Sequence, residues 1–164
     1  MNDEKKDGRA HLSELMKKFS TAMLVTHGTG GLHGRPLSFA GEHDGRLYFS
    51  TSVESGKVAE LQDNPRVAIT MQDSTRYISI SGTAELSDDP ELIERLWREP
   101  WRVWFPDGKS DPALRILSVE PEVAEYWDQS GARGIKYLIE MAKAYATGTT
   151  PASGASSDNV KIRL

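Results

Sequence analysis

The sequence predicts a mainly β, α+β fold: an antiparallel barrel of about six to seven strands with flanking helices. Short β-type runs recur between turn signals, the connections between them are short, and helical periodicity is confined to the two ends and two brief insertions. That order suits an antiparallel barrel and not a parallel, doubly wound sheet. With 164 residues, 38% hydrophobic and 27% charged, the chain suits one unit with a sizeable core. We place that unit at residues 1–146, followed at 147–164 by a flexible linker and a short C-terminal strand.

The elements follow in order. Leu12, Leu15, Met16 and Phe19 recur at three- and four-residue spacing, which predicts an amphipathic helix over 8–19. Residues 22–26 form a short apolar strand that turns at Gly28-Thr29-Gly30-Gly31 and returns over 32–41. Asp44-Gly45 is a strong hairpin signal because both central turn residues need positive φ, and it leads into a third strand at 46–51. A short helix is expected at about 55–63, with serines at its mouth, Val58 and Leu61 facing inward and Asn64-Pro65 ending it.

Residues 67–71 and 77–86 make a second hairpin. In its longer arm Ile78, Ile80, Gly82, Ala84 and Leu86 face inward and alternate with Ser79, Ser81, Thr83 and Glu85. Asp89-Pro90-Glu91 opens a helix whose buried face is Leu92, Ile93, Leu96 and Trp97. The chain is then aromatic and irregular to residue 112. Two extended segments, 114–119 and 123–127, flank Glu120-Pro121, where proline implies an edge or a bulge. Ile135, Leu138, Ile139, Ala142 and Ala146 trace one face of a final helix; 147–159 is rich in Gly, Ser and Thr, and 160–164 alternates like an added strand.

Composition narrows the function classes. A net charge of -4, with no block of like charges, gives no footprint for nucleic acid or an anionic membrane. No apolar run approaches the roughly 20 residues of a spanning helix, and the first ten residues are polar and unlike a secretion signal, so a cytoplasmic protein is expected. The chain has no cysteine, which excludes disulfides and thiolate nucleophiles and leaves any redox chemistry to a cofactor. His11, His27, His33 and His43 show no metal-ligand spacing, so no metal is expected.

The segment Ser50-Thr51-Ser52-Val53-Glu54-Ser55-Gly56-Lys57 places hydroxyls, free amides and an ammonium where a strand feeds a helix N-terminus, an arrangement that attracts phosphate. The same residues also suit a plain capped helix with a solvated Lys57. A Walker loop is excluded: Thr51 stands where the first glycine is required and Val58 where the magnesium-binding hydroxyl would be. Gly28, Gly30 and Gly31 lead into a strand, which removes them as a dinucleotide fingerprint. Arg35, in Gly34-Arg35-Pro36-Leu37, lies on an extended segment and is either a surface ion-pair partner or a second phosphate ligand beside Lys57. Three of the four tryptophans fall at 97, 101 and 104, where they wall a flat ligand or bury an interface; the fourth, Trp127, borders a planar ring or packs on its strand.

Taken together, Gly34-Arg35-Pro36-Leu37, Leu47-Tyr48-Phe49-Ser50-Thr51 running to Ser55-Gly56-Lys57, and Asn64-Pro65-Arg66-Val67-Ala68 resemble the flavin-binding half of pyridoxamine phosphate oxidase-like proteins. Trp101-Arg102-Val103-Trp104-Phe105-Pro106-Asp107-Gly108 and Ala124-Glu125-Tyr126-Trp127-Asp128 resemble the general stress protein 26 branch. The resemblance implies a split β-barrel homodimer holding FMN, or FAD in its place, across the subunit interface. Arg35 and Lys57 would hold the phosphate with Ser50, Thr51, Ser52 and Ser55, and the backbone near Pro36 and Leu37 would meet the ring. Gln72 and Tyr77 would approach from the neighbouring hairpin, and Trp127 or Trp104 from either subunit. One departure stands out: Arg133 is followed by Gly134-Ile135, where the true oxidases carry an Arg-x-His substrate motif, which argues against vitamin B6 oxidation. The expected activity is a flavin-dependent oxidoreductase of unassigned substrate acting between a small-molecule electron donor and acceptor. The alternatives are a flavin-binding stress or sensor protein without turnover, and a dimeric interaction module.

Overall fold

A computed structural model describes residues 2–130, 132–149 and 159–164. Seven strands form one antiparallel sheet: β1 (Thr21–Gly28), β2 (Gly31–His43), β3 (Arg46–Ser52), β4 (Arg66–Gln72), β5 (Arg76–Ser87), β6 (Leu114–Asp128) and β7 (Asn159–Arg163). The order is β3-β2-β1-β4-β5-β6-β7, and a further β3–β6 ladder closes the first six into a barrel. β7 is added to the distal half of β6, pairing at residues 123–127. Among the described residues four helices flank the sheet: α1 (Asn2–Met16), α2 (Gly56–Asp63), α3 (Pro90–Leu96) and α4 (Ala132–Thr147).

The barrel interior holds Leu24, Phe49, Ile69, Ile80, Leu117 and Val119, all at most 1% exposed, closed at one end by Leu12, Leu15 and Met16 of α1. Each fully buried large side chain contributes about 1.5–3 kcal/mol. A second core lies outside the barrel, where α3 and a 3-10 turn (Glu99–Val103) bring Ile93, Leu96 and Trp101 onto Tyr48, Leu114 and Ile116. Hence β3 is buried on both faces, with Phe49 inward and Tyr48 outward, as its unbroken apolar run Leu47-Tyr48-Phe49 requires.

Most expected elements are present. Asp44 and Gly45 take positive φ, 52° and 76°, in the β2–β3 hairpin. The leading helix runs over Asn2–Met16 and leaves Phe19 beyond its end, still packed on the core. The two extended segments around Pro121 are one continuous strand, because a register shift opposite Gly82 absorbs the proline. The last helix forms, and Leu138, Ile139, Ala142 and Ala146, on the apolar face that the periodicity traces, are exposed. The expected linker, 147–159, lies mostly outside the described residues; Thr147 ends α4 and Asn159 opens β7.

Candidate functional site at the junction of β3 and α2

Along β3, alternation sends Thr51 to the barrel side with Phe49, and Ser50 and Ser52 to the opposite side. The chain then turns, with Ser55 donating its amide to the Ser52 carbonyl at 3.1 Å and Glu54 donating to Ser52 Oγ at 3.2 Å. Ser55 occupies the cap position of α2, but its side chain makes no capping bond. Its Oγ instead accepts from Lys57 Nζ at 2.5 Å, and Thr51 Oγ1 accepts from the same ammonium at 2.9 Å. Lys57 is only 8% exposed, on the α2 face that also buries Val58 and Leu61. The capped helix with a solvated lysine is therefore overturned: packing α2 on the barrel turns the lysine inward, and the hydroxyls serve the lysine instead of the helix end.

No carboxylate forms an ion pair with Lys57 among the described residues. Burial, and then the nearby charge of Arg35, pull its pKa below the ordinary lysine value, against an opposing pull from Glu60. A Cβ added at Gly56, the first residue of α2, would meet nothing within 4 Å, so the helix mouth is open on that side.

Arg35 reaches the same region from β2. It stands opposite Leu24 in the β1 ladder and so faces the barrel side, near where α2 packs across β1. Its Nη1 donates to Thr26 Oγ1 at 2.7 Å and its Nη2 to Glu60 Oε2 at 2.7 Å. Both partners of this ion pair are mostly buried, at 23% and 17% side-chain exposure. These bonds use two of the five guanidinium N–H groups, so ion pairing leaves Arg35 able to hold a second anion.

Glu60 is the hub of this cluster. Thr26 Oγ1 donates to its Oε2 at 2.5 Å and His33 Nδ1 lies 2.6 Å from its Oε1. Thr26 and His33 are direct partners in the β1–β2 ladder, which sets both on α2. A Cβ at Gly28 would lie 2.3 Å from His33 Nδ1 and 2.8 Å from Glu60 Oε1, so this contact requires bare backbone there. The Thr26 hydroxyl first, then His33 and Arg35, hold the Glu60 pKa down to about 2. Glu60, Thr26 and His33 were not legible as site residues. The available signals were the three-residue step from Lys57 to Glu60, which shares a helix face, and the tight glycine hairpin between Thr26 and His33.

The remaining candidates lie apart from the cations. Leu37 is buried opposite Ala22, whereas Pro36 faces outward opposite the half-exposed Met23. Gln72, Tyr77 and Trp127 form one row across β4, β5 and β6 on the outer barrel face, extended by Asn159 of β7. Tyr77 is 39% exposed. The aromatic stretch divides: Trp101 and Phe105 are buried in the second core, and Trp104 is 79% exposed. Cavities of about 410, 490 and 270 Å³ occur in the chain, and none is lined by a candidate residue. Among the described residues no group of three or more acidic or histidine side chains could hold a metal ion, and no helix is long and apolar enough to cross a membrane.

Comparison with known proteins agrees with this architecture. General stress protein 26 of Bacillus subtilis (strain 168) is 32% identical over 122 residues, spanning 71% of this chain and 85% of that protein. A crystal structure from Jannaschia sp. CCS1 shares the fold with a TM-score of 0.75 at 24% identity, covering 97% of this chain and 99% of that one. The general stress FMN/FAD binding protein of the phytopathogen Xanthomonas citri superposes with a TM-score of 0.66 at 28% identity, covering 74% and 89% respectively. Residues 7–152 match the model of the family described as pyridoxamine 5'-phosphate oxidase like, and the chain belongs to that family.

Proposed function

We propose that this protein binds FMN, or FAD in its place, across a homodimer interface, and works in the cytoplasm as a flavin-dependent oxidoreductase between a small-molecule donor and acceptor. The observation that carries the reading is Lys57: a buried ammonium whose bonding partners are the neutral hydroxyls of Thr51 and Ser55. Burying an unpaired charge costs several kcal/mol, and an anion seated beside it offsets that cost. A phosphate placed at the open mouth of α2 would meet the ammonium, the two hydroxyls, the first-turn amides and Arg35. The residues present therefore fit the phosphate end of a flavin nucleotide. The family match and the FMN/FAD-binding relative support the flavin itself.

When bound, the flavin supplies hydride and electron transfer, and the protein supplies binding and orientation. In this reading Arg35, Lys57, Thr51 and Ser55 anchor the phosphate, with Ser50 and Ser52 completing the turn that presents them. The backbone near Pro36 and Leu37, with Gln72, Tyr77 and Trp127 of the outer face, meets the ring. Pro36, Gln72 and Tyr77 are exposed on one subunit and line none of the three cavities described, and in this reading a second subunit covers the ring and excludes water. Trp104, far more exposed than a buried tryptophan, would be one of the residues covered there. The missing Arg-x-His motif after Trp127 argues against vitamin B6 oxidation.

The test is a visible spectrum of the purified protein with and without added FMN, together with its mass in solution. A dimer with bound-flavin absorbance is expected, and NADH or NADPH should bleach that absorbance in stopped flow. A protein that stays colourless and fails to bind FMN overturns the reading; bound flavin that no reductant bleaches overturns only the oxidoreductase part.

A further inference from the structure

We propose that Glu60 is a built-in competitor of the phosphate: it detunes the Arg35 and Lys57 site so that a phosphorylated flavin is held exchangeably. This rests on the flavin reading above and adds what sets the affinity of that site.

Two cations face the proposed phosphate position, and Glu60 already gives Arg35 an anionic partner at 2.7 Å. Its charge reaches Lys57 as well, since Glu60 acts on the lysine's protonation in the direction opposite to Arg35. The site therefore presents one net positive charge where its cations alone would present two, with His33 as the further titratable group on Glu60. The carboxylate is held ionised by Thr26, His33 and Arg35, so it remains an anion at neutral pH. An incoming phosphate is repelled by it and must share Arg35 with it, and the penalty scales with the charge on the phosphate.

The negative charge of Glu60 is not needed to keep Arg35 in place, provided an oxygen acceptor remains. Thr26 Oγ1 accepts from the guanidinium through Nη1 and donates to the same Glu60 Oε2 that accepts from Nη2, and Thr26 is itself fully buried, so an uncharged amide oxygen at that place can accept both bonds. Removing the charge while keeping that oxygen, as Glu60→Gln does, therefore leaves the arginine aimed as before and raises the positive potential that the phosphate meets.

The experiment is a fluorescence titration of FMN, FAD and riboflavin, which has no phosphate, on the wild-type protein and on Glu60→Gln, with thermal melts to establish that both are folded. The variant should bind FMN about tenfold more tightly, FAD with a smaller gain, and riboflavin as the wild type does. Its FMN dissociation rate should fall by a similar factor. Glu60→Ala removes the same charge together with the oxygen that meets Thr26 and Arg35, and a smaller gain of the same sign is expected from it if the amide is not tolerated. Weaker or unchanged FMN binding in folded variants overturns the proposal, as does an equal gain for riboflavin. A wild-type protein that binds FMN no more tightly than riboflavin overturns the phosphate reading itself, and Glu60's role with it. A phosphate-dependent wild type whose Glu60 variants gain nothing overturns the role of Glu60 alone.

Discussion

Lys57 Nζ donates to Thr51 Oγ1 at 2.9 Å across the junction where β3 runs into α2, so the ammonium is buried against a hydroxyl. That pairing, with the one to Ser55 Oγ, gives the ammonium neutral acceptors and no ion-pair partner. Lys57→Met should therefore separate folding from binding. It replaces a buried cation with an apolar chain of similar length and leaves two hydroxyls that can turn to one another or to water. The melting temperature without flavin should hold or rise, while FMN binding weakens by about 1.5–3 kcal/mol. Melting curves and FMN titration on the same preparation measure both, and unchanged affinity would remove Lys57 from the site.

Arg35 differs from Lys57 because its guanidinium spans two partners at once, Thr26 and Glu60. Arg35→Ala should weaken FMN binding by about 1.5–3 kcal/mol, with little effect on riboflavin. Arg35→Lys should recover only part of the loss, since one ammonium cannot reproduce a fork that reaches a hydroxyl, a carboxylate and a phosphate together. Full recovery in the lysine variant would mean that charge alone matters at this position.

Two carboxylates predict the acid limb of stability. Glu60 and Asp73 are both held down to about 2, Asp73 chiefly by the Thr75 amide and then by Arg76. A depressed carboxylate stabilises the fold fully above its unfolded value, which is ordinarily 4.5 for Glu and 3.8 for Asp, and that contribution fades as pH falls toward the folded value. Urea midpoints should stay level from pH 7 to 5 as far as these two groups are concerned, then fall between about pH 4.5 and 2. Glu60→Gln and Asp73→Asn should each make that fall shallower. An acid limb of unchanged steepness in both variants would count against these contacts.

What could be foreseen follows from the range of the interactions involved. The alternation of Ile78, Ile80 and Ala84 in β5 repeats every second residue, and the Asp44-Gly45 turn is set by two adjacent residues, so both were legible. Lys57 and Arg35 were legible only as residue types suited to phosphate. Their partners Glu60, Thr26 and His33 converge through the β1–β2 register and the packing of α2, relations spread over 34 residues of chain. The apolar face of α4 marks a different limit. Periodicity identified the helix correctly, but periodicity says which residues share a face and not whether anything covers it.

The bulge that absorbs Pro121 depends on Gly82. A Cβ there would stand 2.2 Å from the Glu120 carbonyl oxygen and 3.0 Å from Pro121 Cα, both of them backbone atoms that cannot rotate away. Gly82→Ala should cost about 1–3 kcal/mol, because β5 and β6 must separate to admit the methyl group. Urea unfolding at neutral pH measures it. A neutral substitution would mean that the bulge slides at no cost, contrary to its place in the longest ladder of the barrel.

Trp101 and Trp104 lie three residues apart and occupy opposite environments, at 3% and 79% exposure. Trp101 fills the second core, stacks edge-on with Trp97 at 5.9 Å and lies 3.3 Å from Ser38 Oγ through its indole N–H. Trp101→Ala should cost about 3–5 kcal/mol by opening a cavity beneath α3. Trp104→Ala should change the stability of the isolated chain by no more than about 0.5 kcal/mol, because its ring has little to lose on one subunit. If Trp104 is covered in a homodimer, the same substitution should weaken self-association, and sedimentation over a dilution series would show it. A Trp104 variant that dimerises as well as the wild type leaves the ring outside the interface, and one that unfolds would contradict its exposure.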